Sequence, residues 1–167
     1  PAEPAAANPP IIASGGNACI LHYITNDKIC KDGDMLLMDF GAEYANYSSD
    51  LTRTVPVNGK FNKRQRAIYD ATLRIFRFAK SIMKPGTTIN NIHKEVCQKW
   101  EEEHIGLKLY TERDVKNDKK GEPLWSKYYM HGTSHFIGLD VHDVGSKDDE
   151  LKAGMVITCE PAIYIPE

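Results

Sequence analysis

The sequence predicts an α+β fold, in which short strands and two long helices come from separate parts of the chain. Strand-like runs occur at residues 35–40 and 51–57, and shorter ones follow residue 127. Between them, apolar residues recur every three or four positions, as on one face of an α-helix. A short pattern near residue 31 also returns near residue 152, which predicts two similar halves.

Composition excludes several classes of protein. The 167 residues are 41% hydrophobic and 26% charged, with a net charge of −2. These values are typical of a globular domain and argue against a disordered or fibrous chain. They also argue against a nucleic-acid partner bound through bulk positive charge. No apolar run approaches the ~18 residues that a membrane span needs, so we expect no membrane partner.

The cysteines indicate the compartment. Cys19, Cys30, Cys97 and Cys159 form neither a C-x-x-C pair nor a zinc-finger pattern. Free thiols are typical of a reducing compartment, and we expect a cytoplasmic protein.

The strand signals lie mainly in the first part of the chain. Residues 1–10 are rich in proline and alanine and predict an extended, linker-like N-terminus before a domain at 11–167. The apolar stretches at 11–13 and 19–23 flank a Ser-Gly-Gly-Asn turn, which predicts a hairpin. Residues 35–40 are almost wholly apolar and predict a buried strand.

The helical signals follow. Asn62 predicts the N-cap of a helix that runs to about residue 84, and a second helix begins at Thr87 or Thr88. Gly106 is expected just beyond the end of the second helix. Residues 111–123 predict a loop, and residues 127–165 predict short strands joined by glycine turns.

The repeated pattern consists of Lys-x-Gly, an apolar run and an acid. Asp39 lies six positions after Gly33, and Glu160 lies six positions after Gly154. His22 precedes Asp39 by 17 residues, and His142 precedes Glu160 by 18. The alternative is chance similarity between common residue types. A counterpart of Asp50 in the second unit would fall beyond Glu167, so one acid of a symmetric set is expected to be missing.

Asp39 and Asp50 are candidate metal ligands. If residues 35–40 and 49–57 form a hairpin centred near residues 44–45, the two carboxylates face each other with Cβ atoms about 5 Å apart. Carboxylates this close repel each other unless a cation lies between them. The alternative for Asp39 is a buried acid that accepts hydrogen bonds from the following turn.

Three histidines and one glutamate complete the candidate cluster. His131, His135 and His142 fall within 12 residues, and Glu160 ends an apolar run. Each histidine could instead be a structural hydrogen-bonding group, although three together favour a site. A set of carboxylates with one histidine suits Mn, Co, Fe or Zn, with Mn favoured. The sequence has no phosphate-binding loop and no G-x-S-x-G nucleophile motif.

These motifs together resemble the Xaa-Pro aminopeptidase (aminopeptidase P) and prolidase family, which has the pita-bread fold of the methionine aminopeptidases. The resemblance lies in residues 16–23, 39–41, 49–54, 131–143 and 160–161. It implies a truncated catalytic domain. The family's N-terminal domain, the helices before the first strand and the last strands fall outside the sequence.

The resemblance also implies roles for individual residues. Asp39, Asp50, His135 and Glu160 would bind two divalent ions, usually manganese, with Asp50 bridging them. His22, His131 and His142 would contact the substrate or assist the tetrahedral intermediate, and Glu160 would also handle the proton of the attacking water. A further bridging glutamate of the family is absent here.

The implied function is a metal-dependent exopeptidase that cleaves the N-terminal Xaa-Pro bond of a peptide by attack of a dimetal-bound hydroxide. The 167-residue chain alone is expected to be inactive, and the family often forms homodimers. Three alternatives remain at this point: a prolidase limited to Xaa-Pro dipeptides, a non-catalytic binding module of the same fold, and a metal-free hydrolase of the creatinase type.

Overall fold

The computed structural model describes residues 5–118 and 121–166, and it confirms an α+β fold. Six strands precede three helices along the chain. The strands are β1 (Ala5–Ala6), β2 (Ile11–Ser14), β3 (Met35–Phe40), β4 (Ala42–Tyr44), β5 (Tyr47–Ser48) and β6 (Leu51–Pro56). The helices are α1 (Lys63–Ile82), α2 (Ile89–Gly106) and α3 (Glu112–Asn117). Short 3₁₀ turns occur at Gly15–Cys19 and Leu124–Lys127.

The strands form two small antiparallel sheets with orders β2-β3-β6 and β1-β4-β5. The predicted hairpin of residues 11–23 is wrong. Gly15 has a φ of +57°, and the 3₁₀ turn it begins directs the chain away from β2, which pairs with β3 instead. The strand at 35–40 is confirmed, but it is only partly buried. Neighbouring apolar residues such as Phe40 and Leu51 are also exposed.

Both long helices begin where the sequence predicts. The Asn62 side chain accepts from the Gln65 backbone N–H, and the Gln65 side chain accepts from the Asn62 N–H, which makes a capping box. Thr88 caps α2 through the N–H of Asn91. Gly106 is the last residue of α2 rather than the residue beyond it.

The main core lies between the two long helices and the chain that follows them. It is formed by the buried residues Ile75, Ala79, Ile89, Ile92, Val96, Cys97, Trp100, Tyr129 and Leu151. Phe136, next to His135, and Ile157, three residues before Glu160, pack against this core. The helices therefore support the segments that carry the candidate site.

Two predictions for the second half of the chain are wrong. Within 111–123, Thr111 caps the short helix α3 through the N–H of Asp114, although residues 119–120 lie outside the described structure. In the described part of 127–165 no strand forms beyond an isolated bridge between Phe136 and Ile157. Backbone bonds from Thr158 N to His135 O (2.9 Å) and from Glu160 N to Thr133 O (3.0 Å) extend that pairing. The turns around Gly138 and Gly154 redirect the chain before a longer ladder can form.

The repeat predicted from the sequence has a structural counterpart. The N–H of Asp34 donates to the Lys31 carbonyl (3.1 Å), and the N–H of Met155 donates to the Lys152 carbonyl (3.2 Å). Gly33 and Gly154 occupy the same position in these turns, with φ of +87° and +95°. Because side chains rarely adopt this conformation, both turns favour glycine. Each turn leads into an extended run that ends at a candidate ligand.

The N-terminal segment contacts the smaller sheet. Residues 1–4 lie outside the described structure, whereas Ala5–Ala6 pairs with β4. The N–H of Ala7 donates to the Gly41 carbonyl (3.0 Å). Residues 5–7 of the predicted linker are therefore extended and bonded to the domain.

Two further observations concern the described residues. None of their helices has the length and apolar character needed to cross a bilayer. All four cysteines lie among them, and each carries a free thiol.

Gly41 joins β3 to β4, close to both candidate aspartates, and a Cβ there would overlap the carbonyl oxygen of Ser49. We expect Gly41→Ala to lower the free energy of unfolding by about 1–3 kcal/mol, because backbone cannot move aside cheaply. Gly16→Ala is the control, since a Cβ at Gly16 meets nothing within 4 Å. Urea unfolding measures both variants. Equal stabilities would contradict the close approach at Gly41.

Candidate metal and substrate site

Asp39 lies on β3, and Asp50 lies immediately before β6. The observed register pairs Asp39 with Thr52, so the two aspartates are diagonal neighbours rather than directly opposed as predicted. The cause is the β4–β5 turn. Ala45 and Asn46 have φ of +52° and +68°, which is a two-residue turn centred one residue later than expected.

The two carboxylates still influence each other. Burial raises the pKa of Asp39, and the charge of Asp50 raises it further. The Oδ1 atom of Asp39 is buried and has no hydrogen-bond partner among the described residues. An unpartnered buried carboxylate oxygen is costly, so this position favours a proton or a cation.

His135 lies between two carboxylates. Its Nε2 atom is 3.4 Å from Asp50 Oδ2 and 3.2 Å from Glu160 Oε1. Its Nδ1 atom is 2.8 Å from the carbonyl of Phe136. Because a carbonyl only accepts, Nδ1 must donate, and the neutral ring therefore directs an Nε2 lone pair at the two acids.

The ionisation of His135 reflects these neighbours. Burial alone would lower its pKa, but contact with Asp50, the Phe136 carbonyl and the charge of Glu160 outweigh burial and raise it. Contact with His135 in turn lowers the pKa of Asp50. In the absence of another cation, a proton on His135 supplies the positive charge that these acids attract.

Glu160 is oriented by its own segment. The Thr158 hydroxyl donates to Glu160 Oε1 (2.7 Å), and the Glu160 N–H donates to the Thr133 carbonyl (3.0 Å). These bonds hold the carboxylate beside His135. The charge of Glu160 also raises the pKa of Asp39.

The donor set fits a divalent cation by its chemistry. The unpartnered atoms Asp39 Oδ1 and His135 Nε2 belong to two of the four predicted ligands, and the other two contact His135. Within residues 5–118 and 121–166, however, no three such side chains already form a ready-made metal-binding group. The four donors are therefore neighbours in pairs, without a complete coordination shell.

The remaining predicted histidines fall into two places. The His142 ring is 4.4 Å from that of His135 and 6.5 Å from that of His22, between ring centres. Both His22 and His142 are exposed. His131 is separate, and its Nδ1 lies 2.8 Å from the Gly132 carbonyl.

Tyr164 is a candidate residue that sequence reasoning missed. Its hydroxyl lies 2.9 Å from His131 Nε2. Burial raises the pKa of Tyr164, and the charges of Glu160 and Asp39 raise it further. The available signal was its position, four residues after Glu160 in a Glu-Pro-x-x-Tyr sequence.

Comparisons with known proteins agree on one family. The model of metallopeptidase family M24 matches residues 3–167. A Haemophilus influenzae Xaa-Pro aminopeptidase is 45% identical over 161 residues, covering 94% of this chain and 37% of that protein. A mouse Xaa-Pro dipeptidase is 41% identical over 177 residues, covering 92% of this chain and 35% of that protein.

The fold comparison gives the same result. Zinc-substituted Escherichia coli aminopeptidase P, solved in complex with product, superposes with a TM-score of 0.86 and 38% identity, covering 96% of this chain and 37% of that one. The predicted family and pita-bread fold are thus confirmed. The chain spans little more than a third of the length of each of these relatives.

In the metal-free protein we expect the pKa of His135 to lie above its ordinary value of 6.5. Asp50→Asn should lower the pKa of His135, because the attraction of the Asp50 charge is lost while burial still disfavours the protonated ring. The stabilisation from this contact is present at low pH and is lost as the pH rises through the raised pKa. Imidazole NMR titration measures the pKa, with the exposed Asp149→Asn as control. An unchanged pKa in Asp50→Asn would contradict the assigned contact.

Proposed function

Because the chain belongs to metallopeptidase family M24, we propose that the full-length protein is a metal-dependent exopeptidase that hydrolyses the N-terminal Xaa-Pro bond of peptides. The observation that carries this proposal is the His135 Nε2 atom, which faces the carboxylates of Asp50 and Glu160 at 3.4 and 3.2 Å. The names of the relatives supply the proline specificity.

Asp39, Asp50, His135 and Glu160 are the proposed ligands of two divalent ions. Asp50 influences the pKa of Asp39 and contacts His135, so it would take part in holding the ions together with both residues. Three carboxylates and one imidazole favour manganese, with cobalt, zinc and iron as alternatives. When bound, such ions supply a water that ionises near neutral pH and polarise the substrate carbonyl.

The protein's own groups position the substrate and move protons. Glu160, fixed by the Thr158 hydroxyl, is the proposed acceptor of the proton from the attacking water. His142 is exposed beside His135, and His22 is exposed near His142; both would contact the peptide. His131, whose Nε2 atom lies 2.9 Å from the Tyr164 hydroxyl, would contact the substrate or assist the tetrahedral intermediate.

Proline explains why such a site is needed. An Xaa-Pro bond has no N–H, so a protease that relies on that donor binds it poorly. Histidine side chains that contact the carbonyl and the flanking part of the peptide do not depend on an N–H at the bond that is cleaved. This proposal assigns residues 11–167 to part of the catalytic domain.

The cellular setting is also a proposal. Four free thiols favour a reducing compartment, and we place the protein in the cytoplasm. Its expected partner is a peptide with proline at the second position. A homodimer stays a prediction from the family resemblance.

The test uses the full-length protein with Ala-Pro-Ala and Ala-Pro, each with added manganese. We expect release of alanine from Ala-Pro-Ala. Cleavage of Ala-Pro alone would identify a dipeptidase instead. If neither peptide is cleaved with manganese, cobalt, zinc or iron, and a metal titration finds no binding, the binding-module alternative replaces this proposal.

Asp39→Asn tests the ligand assignment. We expect kcat/KM to fall by at least about a hundred-fold, since loss of residues that only support a ligand already costs about 10–100-fold. Asp70→Asn, on the exposed face of α1, is the matched control and should keep nearly full activity. Equal activity in the two variants would remove Asp39 from the site.

A further inference from the structure

Thr133 lies between His131 and His135 in the sequence, and its side chain is fully buried. Its hydroxyl oxygen is 2.9 Å from His93 Nδ1 on α2 and 2.8 Å from the Tyr129 hydroxyl. We call His93, Tyr129 and Thr133 the Thr133 network. It joins the core helix α2 to the segment that carries two candidate site histidines.

The hydrogen bonds of this network can be assigned so that every donor has an acceptor. The Thr133 hydroxyl has a single proton, so it can donate to only one of its two neighbours. With the proton of neutral His93 on Nε2, Tyr129 donates to Thr133, and Thr133 donates to His93 Nδ1. The remaining N–H of His93, on Nε2, then faces the buried Cys97 sulfur at 3.4 Å. Each donor has an acceptor, which a buried polar network requires.

The network reaches the site through the backbone and through ring packing. The Thr133 carbonyl accepts the Glu160 N–H, so any movement of Thr133 moves Glu160. The Tyr129 ring lies edge-on to His131, with centroids 5.1 Å apart. Thr133 is thus connected to Glu160 by a backbone hydrogen bond and to His131 through the Tyr129 ring, and His135 lies two residues further along the same segment.

Packing alone would not need these polar groups. Ile92, Val96 and Trp100 already provide a fully buried apolar surface on α2. A valine has nearly the shape of threonine and would fill the same space. The hydroxyl additionally fixes the orientation of the side chains bonded to it, because hydrogen bonds require a defined geometry whereas apolar contacts do not.

We propose that His93 and Tyr129 are positioning residues that act through Thr133 to hold His131, His135 and Glu160 in their working arrangement. None of the three is assigned contact with the substrate. The proposal rests on the proposed peptidase function for its kinetic consequence, whereas the metal-binding consequence can be measured separately.

The experiment compares Thr133→Val, Thr133→Ser, His93→Leu and His93→Asn in the full-length protein. Thr133→Val and His93→Leu remove the hydrogen bonds. Thr133→Ser keeps the hydroxyl, and the asparagine amide can occupy the place of Nδ1. Thr72→Val is the matched control, because the Thr72 hydroxyl donates to the Ile68 carbonyl within the same helix, α1.

We expect Thr133→Val and His93→Leu to lower kcat for Ala-Pro-Ala by about 10-fold or more, with KM within about twofold, as for groups that support a ligand. Thr133→Ser and His93→Asn should recover most of the loss. Thr133→Val and His93→Leu should also melt at a lower temperature than Thr72→Val, because each leaves a buried polar group without its hydrogen bond; kinetics are therefore measured below the melting temperatures. The proposal is overturned if Thr133→Val keeps the kcat of Thr72→Val, or if Thr133→Ser loses as much as Thr133→Val.

Manganese affinity by calorimetry provides a readout without turnover. Thr133→Val should bind manganese about 10-fold more weakly than Thr72→Val. If the wild type binds manganese but cleaves no Xaa-Pro peptide, the peptidase proposal fails, and this difference alone decides the positioning role. If Thr133→Val does not fold, Tyr129→Phe, which removes one oxygen atom, takes its place with the exposed Tyr69→Phe as control.

Discussion

The site depends on the position of the His135 imidazole between the carboxylates of Asp50 and Glu160. Partly buried acids repel one another, and each loses hydration. A positive charge among the acids reduces their mutual repulsion and compensates for their lost hydration. The Phe136 carbonyl accepts a hydrogen bond from Nδ1 of His135. When the ring is neutral, its Nε2 atom therefore faces the acids with a lone pair that can bind a metal ion.

The fold brings this arrangement together from three distant segments. The β3–β6 ladder supplies the two aspartates, the stretch after α2 supplies His135, and the run after Gly154 supplies Glu160. The equivalent turns at Gly33 and Gly154 lead into the runs that end at Asp39 and Glu160. Each half of the domain thus contributes an acid in the same way.

Sequence reasoning succeeded where the signal is local. Asn62 and Thr88 begin helices because each supplies its own side-chain cap within three residues. The same kind of signal at Thr111 and Asp114 was available and was missed, so α3 was taken for a loop. Among the four proposed ligands, Asp39 and Glu160 stood out because an acid within or at the end of an apolar run is costly. Asp50 was proposed from the expected hairpin, and His135 as one of three clustered histidines.

Sequence reasoning failed where strand pairing, register or side-chain contacts depend on segments that are distant in the sequence. β2 pairs with β3 rather than with its nearest neighbour, and nothing in residues 11–23 decides this. The register of Asp39 and Asp50 was misplaced because Ala45 and Asn46 both adopt positive φ without a glycine to mark the turn. The contact of His93 with Thr133 spans 40 residues and leaves no local pattern.

The most direct test of this account is anomalous diffraction at the manganese absorption edge from crystals of the full-length protein grown with manganese. The account predicts peaks within bonding distance of Asp39, Asp50, Glu160 and the Nε2 atom of His135. Manganese bound elsewhere, or bound through His135 Nδ1 after rotation of the ring, would contradict it.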